Sequence, residues 1–130
     1  MKKLSLFLLL TIITGSLIAQ SAAITFEKNT HDFGKIKEQD GSATVVYTFK
    51  NTGDAPLVIN RVQASCGCTT PSWTKEPILP GKSGTITAAY NPANRPGTFI
   101  KTISVFSNAG TQPTLLTIKG DVIPKPAVQR

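Results

Sequence analysis

The constellation in this sequence best suited to chemistry is Cys66-Gly67-Cys68. Two thiols one residue apart admit four roles. The first is a bond between them. In an extended chain their Cα atoms stand roughly 6.8 Å apart, at the upper limit for a disulfide, and Gly67 allows the bend that closes the gap. Such a bridge adds little stability: a three-residue loop yields roughly 1.6 kcal/mol, against about 4.7 for a hundred-residue loop. A bridge of this kind reads as readily reduced. The second role is metal binding, with two thiolates clasping a soft ion such as Cu(I). The third is thiol–disulfide chemistry, although the usual two-residue spacing and the helix starting at the first cysteine are both missing. The fourth is packing, as two small buried residues in a turn with Trp73 covering them.

Other residues exclude more than they suggest. His31 is the single histidine, so no site needing two histidines exists, and two cysteines cannot build a four-cysteine zinc site. Zinc at Cys66 and Cys68 would need further ligands, and a cysteine nucleophile would need His31 as its base. Gly81-Lys82-Ser83 lacks the upstream glycine of a phosphate loop and reads as a turn. Asp32, Glu38, Asp54 and Asp121 fall in or beside turns and at strand ends, and suggest no paired acid and base. Trp73 lies in a proline-rich connection, where it serves as a packing lid or a partner-binding aromatic.

The elements that must position these residues read as short strands. Ala43–Lys50 alternates cleanly, with Val45, Tyr47 and Phe49 on one face. Ala23–Lys28, His31–Ile36, Leu57–Ala64, Thr85–Asn91, Gly97–Ser107 and Pro113–Val122 complete a set of about seven. Asp40-Gly41, Gly53-Asp54, Pro80-Gly81 and Asn108-Ala109-Gly110 mark turns. Ser65–Pro80 reads as irregular, because Pro71, Pro77 and Pro80 forbid a central strand there. Both parities of Gly97–Ser107 are apolar, so alternation does not choose between Phe99 and Ile100 for the core. Seven strands at about ten-residue spacing predict an all-β, immunoglobulin-like antiparallel β-sandwich. The cysteines are too close in sequence to staple two sheets, so hydrophobic burial must hold them together.

The chain of 130 residues is 40% hydrophobic and 16% charged, with ten glycines and nine prolines, which excludes a disordered polyelectrolyte and favours a turn-rich β protein. Met1-Lys2-Lys3, the apolar run Leu4–Ile18 and the small residues Ala19–Ala23 predict a secretory signal peptide over residues 1–19, cleaved after Ala19. The apolar run is shorter than the roughly 20 residues that span a bilayer. Domain organisation is then a sandwich over 20–123 and a tail over 124–130 marked by Pro124 and Pro126. Losing Lys2 and Lys3 leaves twelve basic against seven acidic residues, a net charge of +5. These bases are scattered without a clustered stripe, which argues against nucleic acid as a partner.

Four phrases carry a resemblance: Phe49-Lys50-Asn51-Thr52-Gly53-Asp54-Ala55-Pro56-Leu57-Val58-Ile59, Ser65-Cys66-Gly67-Cys68-Thr69, Pro80-Gly81-Lys82-Ser83-Gly84, and the set Phe99, Lys101, Ile103, Val105, Ser107 and Asn108. In this order, from about Ile24 to Val122, the chain resembles the bacterial domain-of-unknown-function family 1573. The resemblance implies an immunoglobulin-like sandwich, of the broad class shared with major-sperm-protein-like and cilium-associated domains. It also implies exported or envelope-associated proteins, and no established activity.

The resulting expectation is an exported, non-catalytic binding module of the cell envelope, in periplasm or medium, with no cofactor. Its partner is an envelope protein or polymer, met through a sheet edge or through the loop carrying Ser65, Cys66, Gly67, Cys68 and Trp73. No membrane span remains after cleavage. The alternative expectation is a copper or thiol-redox module with Cys66 and Cys68 as ligands.

Overall fold

Side chains alternate across a strand, so the inward parity of each strand should be the buried one. In the computed structural model, which describes residues 19–127, that holds for the best-patterned segments. Tyr47 and Phe49 are buried on one strand, Ile86, Ala88 and Tyr90 on another, and Leu116, Ile118 and Val122 on a third. Most of the expected signal peptide, residues 1–18, and residues 128–130 of the expected tail lie outside the described residues. No helix among the described residues is long and apolar enough to cross a membrane.

The described residues form eight strands: β1 Ile24–Phe26, β2 Thr30–Lys37, β3 Ala43–Asn51, β4 Ile59–Ala64, β5 Thr69–Trp73, β6 Ser83–Tyr90, β7 Gly97–Ser107 and β8 Thr114–Ile123. They form two four-stranded sheets, ordered β1-β3-β6-β5 and β2-β8-β7-β4. This is the immunoglobulin-like arrangement, with a first strand that divides between the two sheets. Its second half, β2, runs parallel to β8, whereas the other pairs are antiparallel. Antiparallel alternation does not reveal that pairing, because either partner leaves the same inward parity.

The segment expected to be irregular contains β5. Pro71 does not prevent it, because β5 is an edge strand and Pro71 pairs with Ala88. The bonds Thr74 N–H to Thr85 O and Asn91 N–H to Cys68 O place the even-numbered residues of β5 toward β6. The missing N–H of Pro71 therefore faces solvent, where it costs nothing.

The core settles the ambiguity in β7. Phe99 is buried and stacks on Tyr90 at 3.9 Å between ring centroids, while Ile100 is 70% exposed. Gly120 makes this possible. It pairs with Phe99, and a Cβ at Gly120 would stand 2.9 Å from the Phe99 ring. Tyr47 carries a polar tip into the interior and satisfies it by donating to Thr117 O at 2.6 Å. Burial pushes the Tyr47 phenol up to about 12, so it remains a donor throughout the working pH range.

At one end of the sandwich, the Glu38 carboxylate gathers three segments. It accepts the Lys125 N–H at 3.0 Å and the Asn94 N–H at 2.9 Å. These bonds, the Lys125 one first, hold Glu38 below the ordinary value of 4.5. The contribution of Glu38 to stability is fully present above pH 4.5 and is lost as pH falls through the folded value. Tail docking should therefore weaken below pH 4.5 in the native chain. In Glu38→Gln that acid step should vanish, as read by the amide chemical shift of Lys125 against pH.

Candidate functional site

β4 ends one sheet's edge and β5 begins the edge of the other, so Ser65–Cys68 must carry the chain between them. Backbone bonds fix this crossover on both sides. Ser65 N–H donates to Thr102 O at 2.9 Å, and Thr102 N–H donates to Ser65 Oγ at 3.1 Å. Asn91 N–H donates to Cys68 O at 2.8 Å. Between these anchors the chain turns at Gly67, drawing the Cys66 and Cys68 Cα atoms to 5.2 Å, and the two sulfurs are joined as a disulfide. Joined in this way, neither sulfur is a thiolate ligand. Cys68 is 3% exposed, Cys66 is half-buried and Gly67 is exposed. The buried Thr69 hydroxyl lies 3.8 Å from Cys66 Sγ and 3.7 Å from Cys68 Sγ.

Ser65, Cys66, Gly67 and Cys68 thus come together, but Trp73 does not cover them. It ends β5 opposite Ile86, on the order of 15 Å along the strand from Cys68. The extended conformation of Thr69–Trp73, unexpected from its proline, carries the indole away. Trp73 instead packs half-buried against the core edge, with Lys75 Nζ 3.0 Å from its ring centroid. His31 is also remote. It sits on β2, at the far edge of the other sheet, with its ring 4.6 Å from that of Phe33. Among the described residues, no group of three or more His, Cys, Asp or Glu side chains could hold a metal ion.

A second surface escaped the sequence reading. β1 is only three residues long and accompanies β3 no further than Phe49. The last contact, Glu27 N–H to Thr48 O at 3.1 Å, places the even-numbered residues of β3 toward the β1 side. Beyond it, the backbone groups of Thr44 and Val46 face outward, and no β1 or β2 residue pairs with them. Two cavities lie along this unpaired edge, between β3 and β2. One, of about 170 Å³, is lined by Glu27, Lys28, Thr30 and His31 against Val45–Thr48. The other, of about 250 Å³, is lined by Lys35, Ile36 and Lys37 against Asp40–Ala43. Inward-facing Ala43 and Val45 are only half-buried here, whereas Tyr47 and Phe49 are fully covered. Nothing in the sequence of β3 signals this opening, because it depends on where β1 stops.

The strand order and crossover loop define an immunoglobulin-like β-sandwich with one interrupted edge. The chain belongs to the family described as Protein of unknown function (DUF1573), whose model matches residues 24–122. No curated protein matches the sequence. Among solved structures, a protein of unknown function from Porphyromonas gingivalis W83 is similar at a TM-score of 0.68 and 21% identity, covering 79% of this chain and 48% of that one. The VesB protease of Vibrio cholerae is similar at a TM-score of 0.62 and 15% identity, covering 75% and 31%. The YadV chaperone is similar at a TM-score of 0.51 and 16% identity, covering 82% and 54%. These likenesses show the fold. The chain spans about half or less of the length of each of these three proteins.

Proposed function

We propose that this protein is an exported, non-catalytic binding module of the bacterial cell envelope. On this reading it takes up an extended segment of a partner protein along the open edge of β3. The Ser65–Cys68 crossover offers a further contact surface on the opposite edge. The observation that carries the reading is the outer edge of Ala43–Val46, paired with β6 on one side and with no strand on the other, with cavities on its flank and half-covered apolar side chains beneath it. An edge with free N–H and C=O groups is completed by another extended backbone, and adjacent pockets accept its alternate side chains. Lys28, Lys35 and Lys37 outnumber Glu27 and Asp40 on the cavity walls, which favours an acidic segment over a second copy of this basic chain. The basic start and apolar run of residues 1–18 support export.

Val46→Pro tests the edge directly. Proline there removes an outward N–H and leaves the β3–β6 ladder intact. Partner capture from envelope extract should weaken roughly 10- to 30-fold, the equivalent of about 2 kcal/mol. An unchanged affinity for the recovered partner would remove this edge from the reading.

A further inference from the structure

The Cys66–Cys68 bridge is poorly suited to being a staple. It closes only three residues, where cross-linking constrains the unfolded chain least. The crossover it spans is already held by Ser65, Thr102, Asn91 and the Thr69 N–H bond to Cys66 O. Its two sulfurs are also unequal: Cys66 is half-exposed beside the exposed Gly67, and Cys68 is buried. The Thr69 hydroxyl lies within reach of both sulfurs and can donate to whichever carries charge.

We propose that Cys66–Cys68 is an exchangeable disulfide that accepts electrons from external thiols, a property that goes beyond the binding reading and does not depend on it. The thiolate of a small dithiol, or of a dithiol protein, attacks Cys66 Sγ from the exposed side. The sulfur–sulfur bond breaks, and its electron pair leaves on Cys68 Sγ, where the Thr69 hydroxyl donates to it. A mixed disulfide now joins the donor to Cys66. The donor's second thiolate attacks its own sulfur in that bond and expels Cys66 as a thiolate. Cys66 and Cys68 take up the two protons that the donor released. In balance, one dithiol is oxidised to a disulfide and Cys66–Cys68 is reduced by two electrons. Exposure directs attack at Cys66, and the hydroxyl stabilises the departing sulfur.

The test uses the mature chain in glutathione redox buffers, quenched by alkylation and read by intact mass. Native protein should pass from no added alkyl groups to two within the accessible range of glutathione ratios while keeping its fold by circular dichroism. Cys68→Ser should trap one glutathione on Cys66. Thr69→Val, nearly the same shape without the donor, should slow reduction about tenfold, and Thr69→Ser should restore it. A bond that resists every glutathione buffer until the protein unfolds would overturn the proposal. So would a native reduction rate in Thr69→Val. Should the valine variant fail to fold, the native chain's response to glutathione still decides. Val46→Pro should leave all of these readouts unchanged, which separates failure here from failure of the binding reading.

Discussion

Replacing Asn51 by leucine is expected to cost roughly 3–5 kcal/mol of folding stability, a larger loss than that from most single substitutions. Asn51 is fully buried at the end of β3 and serves both halves of its amide. Nδ2 donates to Ala55 O at 2.8 Å and to Ile78 O at 2.9 Å. Oδ1 accepts Gly53 N–H at 3.0 Å and Ala23 N–H at 3.4 Å. One side chain therefore ties the segment before β1, the turn after β3 and the connection before β6. Leucine fits the volume but leaves the Ala55 carbonyl and the Gly53 and Ala23 N–H groups without partners where water is scarce, and leaves Ile78 O with the Leu57 N–H alone. Urea unfolding should show a lower midpoint with an unchanged slope. A midpoint within experimental error of the native one would mean that water or neighbouring groups replace the amide.

Gly53→Val is the second large effect, at about 2–4 kcal/mol. A Cβ on Gly53 would meet backbone rather than a yielding side chain: Ala23 N at 2.5 Å, Ala22 C at 2.7 Å and Ser21 O more closely still. The Ser21–Ala23 segment would have to move away. Moving it exposes the buried Ala22 and breaks Ser21 N–H to Asp54 Oδ1 at 2.7 Å, Asp54 N–H to Ser21 O at 3.0 Å and Thr52 N–H to Ala23 O at 2.9 Å. Amide exchange at Thr52 and Asp54 should accelerate in this variant while the β7–β8 ladder stays protected. The same contacts bear on the processing that the proposed export would require. Cleavage after Ala19 would retain this clamp, whereas a cut beyond Ala22 would delete it.

The expected face of β3 carries the buried Tyr47 and Phe49 because one face of the strand meets the core and the other meets solvent. The choice between Phe99 and Ile100 required the partner strand, since Gly120 is the position that leaves room for the ring. β5 was obscured by prolines whose effect depends on which side of the strand is paired. Trp73 follows the same cause: with β5 extended, proximity to the cysteines in sequence becomes distance in space. The bend at Gly67 was legible, because two cysteines one residue apart can approach only if the residue between them yields. The open edge of β3 was not legible. It results from β1 ending at Phe26 and the chain crossing to the other sheet, a long-range event without a local pattern.

The central claim, that β3 offers a strand-accepting edge, is tested most directly by residue-resolved amide hydrogen exchange of the chain, alone and with its captured partner. Alone, the Thr44 and Val46 amides should exchange rapidly while Val45 and Tyr47, which face β6, stay protected. With the partner bound, Thr44 and Val46 should become protected together. Protection of both in the isolated chain, or their continued rapid exchange in the complex, would contradict the account.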